Sequence, residues 1–349
     1  MRNHIPHRYS SYYLILFVLI LLGSCSNEKN VNDPLVTDDP IYIEVNTKSV
    51  IGSVIDGVMI SKVRMIVADQ ASEIIFQNLT TLQENTTGDG FLINVHPGSY
   101  RIYLIANETS NMTTALASMQ SLQQVRSYVV TSSDYDAYTE SNITLFAENA
   151  IKVKENPANT SQGLVSIDNG ATWSGYYSAN LKRIMAKVSL KLKTTNSTDD
   201  IKIIQIWMMH VPKHFYLGNI SYAELQSEYQ NKQATLLVPV PYKLTSTTQN
   251  LFTDFFIRES RFTPVTNRDM ATYLLVAASF NSVTNLYTIP IGTPQGGVPS
   301  ASIVDYNIYK GNHYIVDGII NNRGEFDNEF TVNVLPWNKV SGDLGFNET

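Results

Sequence analysis

Residues 183–193 read Arg-Ile-Met-Ala-Lys-Val-Ser-Leu-Lys-Leu-Lys, and from Ala186 onward apolar and polar side chains alternate strictly. Val188, Leu190 and Leu192 fall on one face of this segment, and the lysines and the serine fall on the other. A period of two predicts a β-strand with one buried face and one face toward solvent. The fold at this point of the chain is therefore built on a β-sheet.

Similar strand patterns extend outward from this segment in both directions. Strands are predicted at residues 41–45, 58–68, 74–76, 91–95, 100–106, 201–209, 234–242, 272–279, 286–291, 313–320 and 330–335. Many short strands separated by turn signals indicate an all-β fold made of β-sandwiches.

The elements between these strands are fewer and shorter. His96-Pro97-Gly98-Ser99 predicts a hairpin turn, because Pro fixes φ and Gly permits a positive φ. One rim helix is predicted within residues 110–130, where apolar residues recur at helical spacing, and a second short helix at residues 222–229.

The N-terminus carries an export signal of the lipoprotein type. A basic head with Arg2 and Arg8 precedes an apolar run at residues 13–22, and Gly23-Ser24-Cys25 follows. That run is shorter than the roughly 20 residues a permanent membrane helix needs, and small residues before a cysteine form a lipobox. Cys25 is the single cysteine of 349 residues, so it has no disulfide partner within the chain. We predict cleavage between Ser24 and Cys25 and acylation of Cys25, which would hold the chain on a membrane; the alternative is an ordinary secretory signal with a chance cysteine.

The rest of the chain divides into a tether and two domains. After the signal peptide at residues 1–24, residues 25–40 are polar, acidic and without periodicity, as in a flexible tether. The residues after position 40 are too many for one small hydrophobic core. We predict an N-terminal β-sandwich at residues 41–180 and a C-terminal β-sandwich at residues 181–349, joined after the Asn-, Gly- and Ser-rich stretch 155–172.

The charge balance excludes one class of partner. The net charge is −6, and loss of the signal with its two arginines leaves 23 basic against 31 acidic side chains. Nucleic-acid binding needs a basic face, so no nucleic-acid partner is expected.

No constellation for catalysis, for a cofactor or for a metal ion is visible. His210 and His214 have the spacing of a helical metal site, but Pro212 lies between them in a strand pattern. A Gly-x-Ser-x-Gly elbow is absent, and residues 292–297 lack the Lys-Ser/Thr of a phosphate loop. We predict a protein without enzymatic activity, metal or cofactor; a hydrolase with two facing carboxyl groups is the alternative, because such a pair leaves no local signature.

Aromatic side chains offer another function. Trp173, Tyr176 and Tyr177 cluster at the predicted junction, where they either pack between domains or form a platform for glycan binding. Trp207 and Trp337 lie in strand patterns and are predicted to pack in the cores.

Three places in the chain carry a resemblance to a known family. Residues 97–107 read PGSYRIYLIAN, residues 183–188 read RIMAKV, and residues 308–314 and 330–337 read IYKGNHY and FTVNVLPW. With the lipobox, and in this order, these segments resemble the fimbrillins, the subunits of type V pili of Gram-negative anaerobes.

The resemblance implies a fold and a way of assembly. The expected fold is two tandem transthyretin-like Greek-key β-sandwiches with few short helices. In stalk fimbrillins a protease removes the first strand after lipid-dependent export, and a strand of a neighbouring subunit fills the groove. A missing strand leaves unpaired N–H and C=O groups beside an apolar groove, and an incoming strand satisfies both. The expected removable strand contains Ile41, Tyr42, Ile43 and Val45, and the expected donor strand contains Val340, Leu344 and Phe346; residues 330–335 are read instead as the last strand of their own domain.

One departure from the family pattern leaves two roles open. Family processing follows an arginine soon after the first strand, but no arginine lies between Cys25 and Arg64. A cut after Lys48 would give a stalk subunit, whereas an uncut chain would keep its lipid as a pilus anchor. The expected locations are a lipid-anchored precursor at the outer membrane and the fimbrium at the cell surface. The expected partners are copies of the chain, accessory pilus subunits, the outer membrane through Cys25, and ligands on host or bacterial surfaces.

Overall fold

The computed structural model describes part of the chain, and that part lies between Ile41 and Trp337. It comprises residues 41–45, 54–55, 58–81, 91–135, 138–139, 141–177, 181–196, 198, 200–212, 215–218, 232–238, 241–280, 282–299, 301–320 and 330–337. These residues belong to one compact unit. Within these ranges no helix combines the length and the apolar character needed to cross a bilayer.

Several sequence predictions fall outside the described residues. They are the signal peptide and tether at residues 1–40, with Ser24 and Cys25, then Lys48, His214, the helix at residues 222–229, and the donor residues Val340, Leu344 and Phe346.

The first half of the chain wraps around one core as a β-sandwich. Its strands are β1 (Ile41–Val45), β2 (Val54–Ile55), β3 (Val58–Met59), β4 (Lys62–Ala68), β5 (Ile74–Thr81), β6 (Phe91–Val95), β7 (Gly98–Ala106), β8 (Val129–Val130), β9 (Leu145–Asn156), β10 (Asn159–Ser166), β11 (Tyr176–Tyr177) and β12 (Lys182–Arg183). The main order is β11-β1-β10-β9-β7-β4-β5, with β6 on β1 and β12 on β9.

The segment 96–99 does not form the predicted hairpin. Strand β6 pairs with β1, whereas β7 pairs with β4 and β9. The Pro-Gly corner therefore carries the chain from one part of the sheet to another, so the strand on either side of it has a different partner. The Asn-, Gly- and Ser-rich stretch 155–172 contains strand β10, which pairs antiparallel with β9.

The predicted rim helix is two short helices. Helix α1 (Ser110–Ala117) begins at an N-cap in which the Thr109 side chain accepts from the Met112 N–H. Helix α2 (Leu122–Arg126) begins at a capping box formed by Ser121 and Gln124. A third helix, α3 (Ser132–Tyr135), follows. Four residues separate α1 from α2 and interrupt the helical periodicity of the apolar side chains. Both helices nevertheless bury their apolar side chains in the core of the first half.

The second half forms a sandwich of two sheets. Its strands are β13 (Ala186–Thr194), β14 (Ile201–Pro212), β15 (Phe215–Tyr216), β16 (Lys232–Val238), β17 (Tyr242–Lys243), β18 (Gln249–Ile257), β19 (Tyr273–Phe280), β20 (Val283–Pro290), β21 (Thr293–Pro294), β22 (Ile303–Asp305), β23 (Asn312–Ile320) and β24 (Thr331–Pro336). One sheet has the order β18-β13-β23-β24 and the other β16-β14-β19-β20, with β17 on β14. Two 3₁₀ turns, Arg268–Met270 and Gln295–Gly297, complete this half.

The opening strand of this half is more buried than its alternation predicts. Val188, Leu190 and Leu192 lie in the core as expected. On the opposite face, Lys187 and Ser189 are also buried. The Ser189 hydroxyl lies 2.7 Å from Nε2 of His313, so the serine is satisfied inside the protein rather than by water.

The two halves repeat one strand arrangement. Strand β1 pairs antiparallel with β6 and parallel with β10, and β13 pairs antiparallel with β18 and parallel with β23. Likewise β4 lies between β5 and β7, and β14 lies between β16 and β19. The all-β sandwich prediction with few short helices is confirmed; the exact domain limits stay a prediction.

Two hydrophobic clusters accompany this repetition. The first contains buried residues from Val58 to Met185 together with Phe215, Leu217 and Trp337. The second contains buried residues from Ala186 to Val332. The change from one cluster to the other therefore falls between two successive residues of the 183–188 motif.

Candidate functional site

The first strand lies in a slot with a partner on each edge. Strand β1 pairs antiparallel with β6 along its whole length, from Ile41 opposite Val95 to Val45 opposite Phe91. Its other edge pairs in parallel with β10, where Tyr42 lies opposite Gln162, and with β11, where Val45 lies opposite Tyr177. A short N-terminal strand thus holds two parts of the sheet together.

The walls of this slot are apolar. Ile93 and Val95 on β6 are buried, as are Val165 on β10 and Tyr177 on β11. The Tyr177 hydroxyl donates to Oδ1 of Asn149 at 2.8 Å. Burial raises the pKa of the Tyr177 phenol, which therefore stays neutral in the slot wall.

The corresponding strand of the second half has a different attachment. Strand β13 occupies the same topological position, but it is continuous with β12, which pairs with β9 of the first half. Removal of β13 would cut the chain between the two hydrophobic clusters. Removal of β1 would leave both hydrophobic clusters on one continuous chain.

A buried ion pair fixes strand β4, the first long strand after β1. Arg64 on β4 donates through Nε and Nη2 to the two carboxylate oxygens of Glu108, at 2.7 and 2.8 Å. The arginine and glutamate side chains are 4% and 0% exposed. Arg64 also donates to the backbone carbonyl of Thr113 at 3.2 Å. The first arginine after Cys25 is therefore inside the fold and inside a strand, where a protease cannot reach it.

The comparisons with known proteins point to one class. No family model matches the chain. The major fimbrium subunit FimC of Porphyromonas gingivalis is 24% identical over 348 residues, which cover 95% of this chain and 71% of that relative. The chain is a homologue of a fimbrial subunit.

Solved structures share the fold of this chain. A candidate cell adhesion protein from Parabacteroides distasonis has a TM-score of 0.53 at 13% identity, over 86% of this chain and 98% of that one. Another from Bacteroides eggerthii has a TM-score of 0.52 at 14% identity, over 86% of this chain and 96% of that one. The resemblance to the fimbrillins is confirmed.

Three of the four segments that carry the fimbrillin resemblance, residues 183–188, 308–314 and 330–337, meet where one hydrophobic cluster gives way to the other. The Arg183 guanidinium lies 4.6 Å from the ring centroid of Trp337 and donates through Nη1 to the Trp337 carbonyl at 3.0 Å. Phe256 stacks on the same indole at 5.3 Å. Gly311 accepts from the Trp337 N–H and donates to the Met185 carbonyl, both at 2.8 Å. Residues from three motifs therefore form one buried joint.

The closing asparagine of the first motif has a structural role. Asn107 adopts a φ of 54°, in the left-handed region, where asparagine is enriched. Its Oδ1 accepts from the Ser61 N–H at 2.9 Å, and its Nδ2 donates to the Met59 carbonyl at 2.8 Å. Asn107 thereby ties the end of β7 to the loop that precedes β4.

The predicted aromatic cluster does not form one exposed surface. Tyr177 is 1% exposed and belongs to the slot wall, whereas Tyr176 and Trp173 are half-buried. The Lys154 ammonium lies 4.2 Å from the Trp173 ring centroid. One face of the indole is thus already covered by a cation, so Trp173, Tyr176 and Tyr177 do not form one exposed platform.

The histidines make protein contacts of their own. Nδ1 of His210 lies 3.2 Å from the Ala271 carbonyl, and its ring packs edge-on against Tyr273. Within the described ranges there is no group of three or more His, Cys, Asp or Glu side chains that could hold a metal ion.

Proposed function

We propose that the chain is a structural subunit of a cell-surface fimbria that is exported as a lipoprotein and polymerises by strand exchange. In this proposal Cys25 carries the lipid, and β1, with Ile41, Tyr42, Ile43 and Val45, is the strand that is removed. The observation that supports it most directly is the pairing of β1 on both edges. The subunit needs no cofactor and performs no reaction.

Loss of β1 would leave a slot that a neighbouring strand can fill. Among the described residues β6 has no strand partner other than β1. Its N–H and C=O groups would lose their partners, and Ile93, Val95, Val165 and Tyr177 would lose cover. Each buried apolar side chain of this size contributes roughly 1.5–3 kcal/mol, so an incoming strand that restores the cover gains a large part of that free energy.

The slot sets requirements for the incoming strand. The strand must run antiparallel to β6 and parallel to β10, and apolar side chains must fall opposite Val95 and Ile93. The tail after Trp337 is the proposed donor, through Val340, Leu344 and Phe346. Strand β24 is not the proposed donor, because it pairs along β23 within its own sheet.

Processing decides between a stalk and an anchor role. The proposed cut follows Lys48, since Arg64 is held in the buried pair with Glu108. A chain that is never cut would keep its lipid and would remain at the outer membrane as an anchor subunit. The proposed partners are copies of the chain and accessory subunits, with surface ligands for the assembled fimbria.

Intact mass and N-terminal sequencing of the protein from its native cell surface test this proposal. A chain that begins at Ser49, without lipid and in SDS-resistant ladders, is expected for a stalk subunit. The Lys48→Gln variant is then expected to stay lipidated and monomeric, with Lys62→Gln as the matched control. A chain that still begins at an acylated Cys25 contradicts the stalk role and supports the anchor. A chain without lipid that begins at a residue before Ile41 contradicts both.

A further inference from the structure

A cleft of about 450 Å³ opens on the outer face of the first sheet. Strands β7 and β9 form its floor, and the loop after β10 and the turn after β4 form its walls. The residues on which the argument rests are Asp69, Gln70, Ser99, Arg101, Lys152 and Asn169. This cleft is separate from the β1 slot, whose apolar walls face the core.

Two cations project from the floor on one face. Ser99 lies opposite Lys152, and Arg101 lies opposite Ala150. Arg101 and Lys152 are therefore diagonal neighbours across the two strands, about 7–8 Å apart. Ser99 and Ala150 are small, so the space between the two long cations is concave.

The positive charge at this place is only partly neutralised, because Arg101, Arg126 and Lys152 face two carboxylates, Glu148 and Asp69. Arg101 is 46% exposed and lies 3.3 Å from Glu148, which also pairs with Arg126. One carboxylate thus serves two guanidinium groups. Lys152 has no hydrogen-bond or ion-pair partner within the described part of the chain. On a chain of net charge −6, this local excess of positive charge favours an anionic group.

The remaining groups suit a sugar better than an inorganic anion. Gln70, Ser99 and Asn169 offer neutral donors and acceptors for hydroxyl groups. The Asp69 carboxylate, which accepts from the Glu73 N–H at 3.0 Å, can accept from a sugar hydroxyl, and it repels a doubly charged phosphate more strongly than a singly charged sugar carboxylate. Ile167, 53% exposed, supplies an apolar wall for the C–H face of a ring.

We propose that this cleft binds an acidic saccharide. The sugar carboxylate pairs with Arg101 and Lys152, and its hydroxyl groups bond to the amides, to Ser99 and to Asp69. Arginine presents a planar fork that matches a carboxylate in two hydrogen bonds. A small number of convergent polar groups in a concave site of this size is typical of small-molecule binding.

Titration calorimetry with a polygalacturonate oligomer tests the proposal on the purified chain. The methyl-esterified oligomer has the same rings without the charge and serves as the matched ligand. The double variant Arg101→Gln/Lys152→Gln is expected to bind the acidic oligomer roughly ten- to a hundredfold more weakly, since each lost bond involves charged groups. The esterified oligomer is expected not to bind the wild-type chain.

A second double variant distinguishes binding at this cleft from a general effect of the net charge of the chain. Lys243→Gln/Arg268→Gln removes the same charge from exposed positions on the second half, and it is expected to bind like the wild type. Equal loss in both double variants, or no binding of the acidic oligomer by the wild type, overturns the proposal. Unchanged melting temperatures confirm that each variant is folded. Binding here needs no polymerisation, so its failure leaves the fimbrial proposal standing.

Discussion

Replacement of Glu108 by glutamine tests the buried pair that anchors β4. The substitution keeps the shape of the side chain but removes the negative charge that two Arg64 donors face at 2.7 and 2.8 Å. The guanidinium then stays buried with uncharged acceptors alone, the Thr113 carbonyl at 3.2 Å and the amide oxygen of the new glutamine, while the glutamine NH₂ group is a donor that faces other donors. Removal of one partner from a buried pair costs about 3–5 kcal/mol.

The size of the effect can be read as a melting temperature. For large domains each kcal/mol moves the melting temperature by roughly 2–4 °C, so Glu108→Gln is expected to lower it by roughly 6–20 °C. The double variant Arg64→Met/Glu108→Leu removes both charges, and it is expected to be more stable than Glu108→Gln alone.

Urea unfolding, followed by tryptophan fluorescence, measures these free energies. Arg101→Gln is the control, because the arginine side of its ion pair is 46% exposed, Glu148 keeps Arg126 as a second partner, and such a pair is worth about 1 kcal/mol or less. If the free energy of unfolding of Glu108→Gln lies within about 1 kcal/mol of the wild-type value, this account of the buried pair is refuted, because the expected loss is about 3–5 kcal/mol. A double variant that is less stable than the single one refutes it as well.

Three further outcomes follow from particular contacts. Trp337→Ala is expected to cost about 3–5 kcal/mol in urea unfolding, because the indole is 5% exposed at the joint between the two cores; a loss below 1 kcal/mol would contradict that role. Gly292→Ala is expected to lower the melting temperature, since its Cβ would lie 2.4 Å from the Asp305 carbonyl oxygen, whereas Gly175→Ala, whose nearest atom is at 3.4 Å, is the tolerated control. Burial and Asp134 raise the pKa of Tyr128 to about 12. The stabilisation that comes from this shift is expected to be complete below about pH 10 and to be lost as the pH rises from 10 toward 12. Free energies of unfolding measured across this pH range check the expectation, and Tyr128→Phe should make the fall shallower.

Strands with a clear period of two could be predicted from the sequence. The segment 183–193 gave β13, and the predicted strands at 201–209, 272–279 and 313–320 overlap β14, β19 and β23. Their signal is local, because it lies in the order of apolar and polar residues along each segment and needs no knowledge of the strand's neighbours. Strands without that signal were missed, among them β18, with its sequence QNLFTDFFI, and β10, which is polar.

Strand partners could not be predicted from local patterns. The Pro-Gly corner at 97–98 has hairpin chemistry, yet β6 and β7 join different neighbours, because pairing depends on residues far along the chain. The break between α1 and α2 did have a local signal. Ser121 and Gln124 have the spacing of a capping box, and that pattern marks a helix start.

The site residues divide in the same way. Arg64 meets Glu108 across 44 residues, and Arg183 meets Trp337 across 154, so neither contact has a local signature. The fimbrillin resemblance identified Arg183 and Trp337 as members of motifs, but it did not predict that the two residues are in contact. The roles of Cys25, Lys48 and the tail after Trp337 stay predictions.

Controlled release of β1 tests the strand-exchange account most directly. Residues 46–49, which follow β1 in the sequence, can be replaced by the recognition sequence of a specific protease, and the purified chain can be treated with that protease under native conditions. The account predicts concentration-dependent, SDS-resistant ladders after the cut, and none in a cut chain truncated after Trp337. A cut chain that has lost β1 and stays monomeric at every concentration would contradict it.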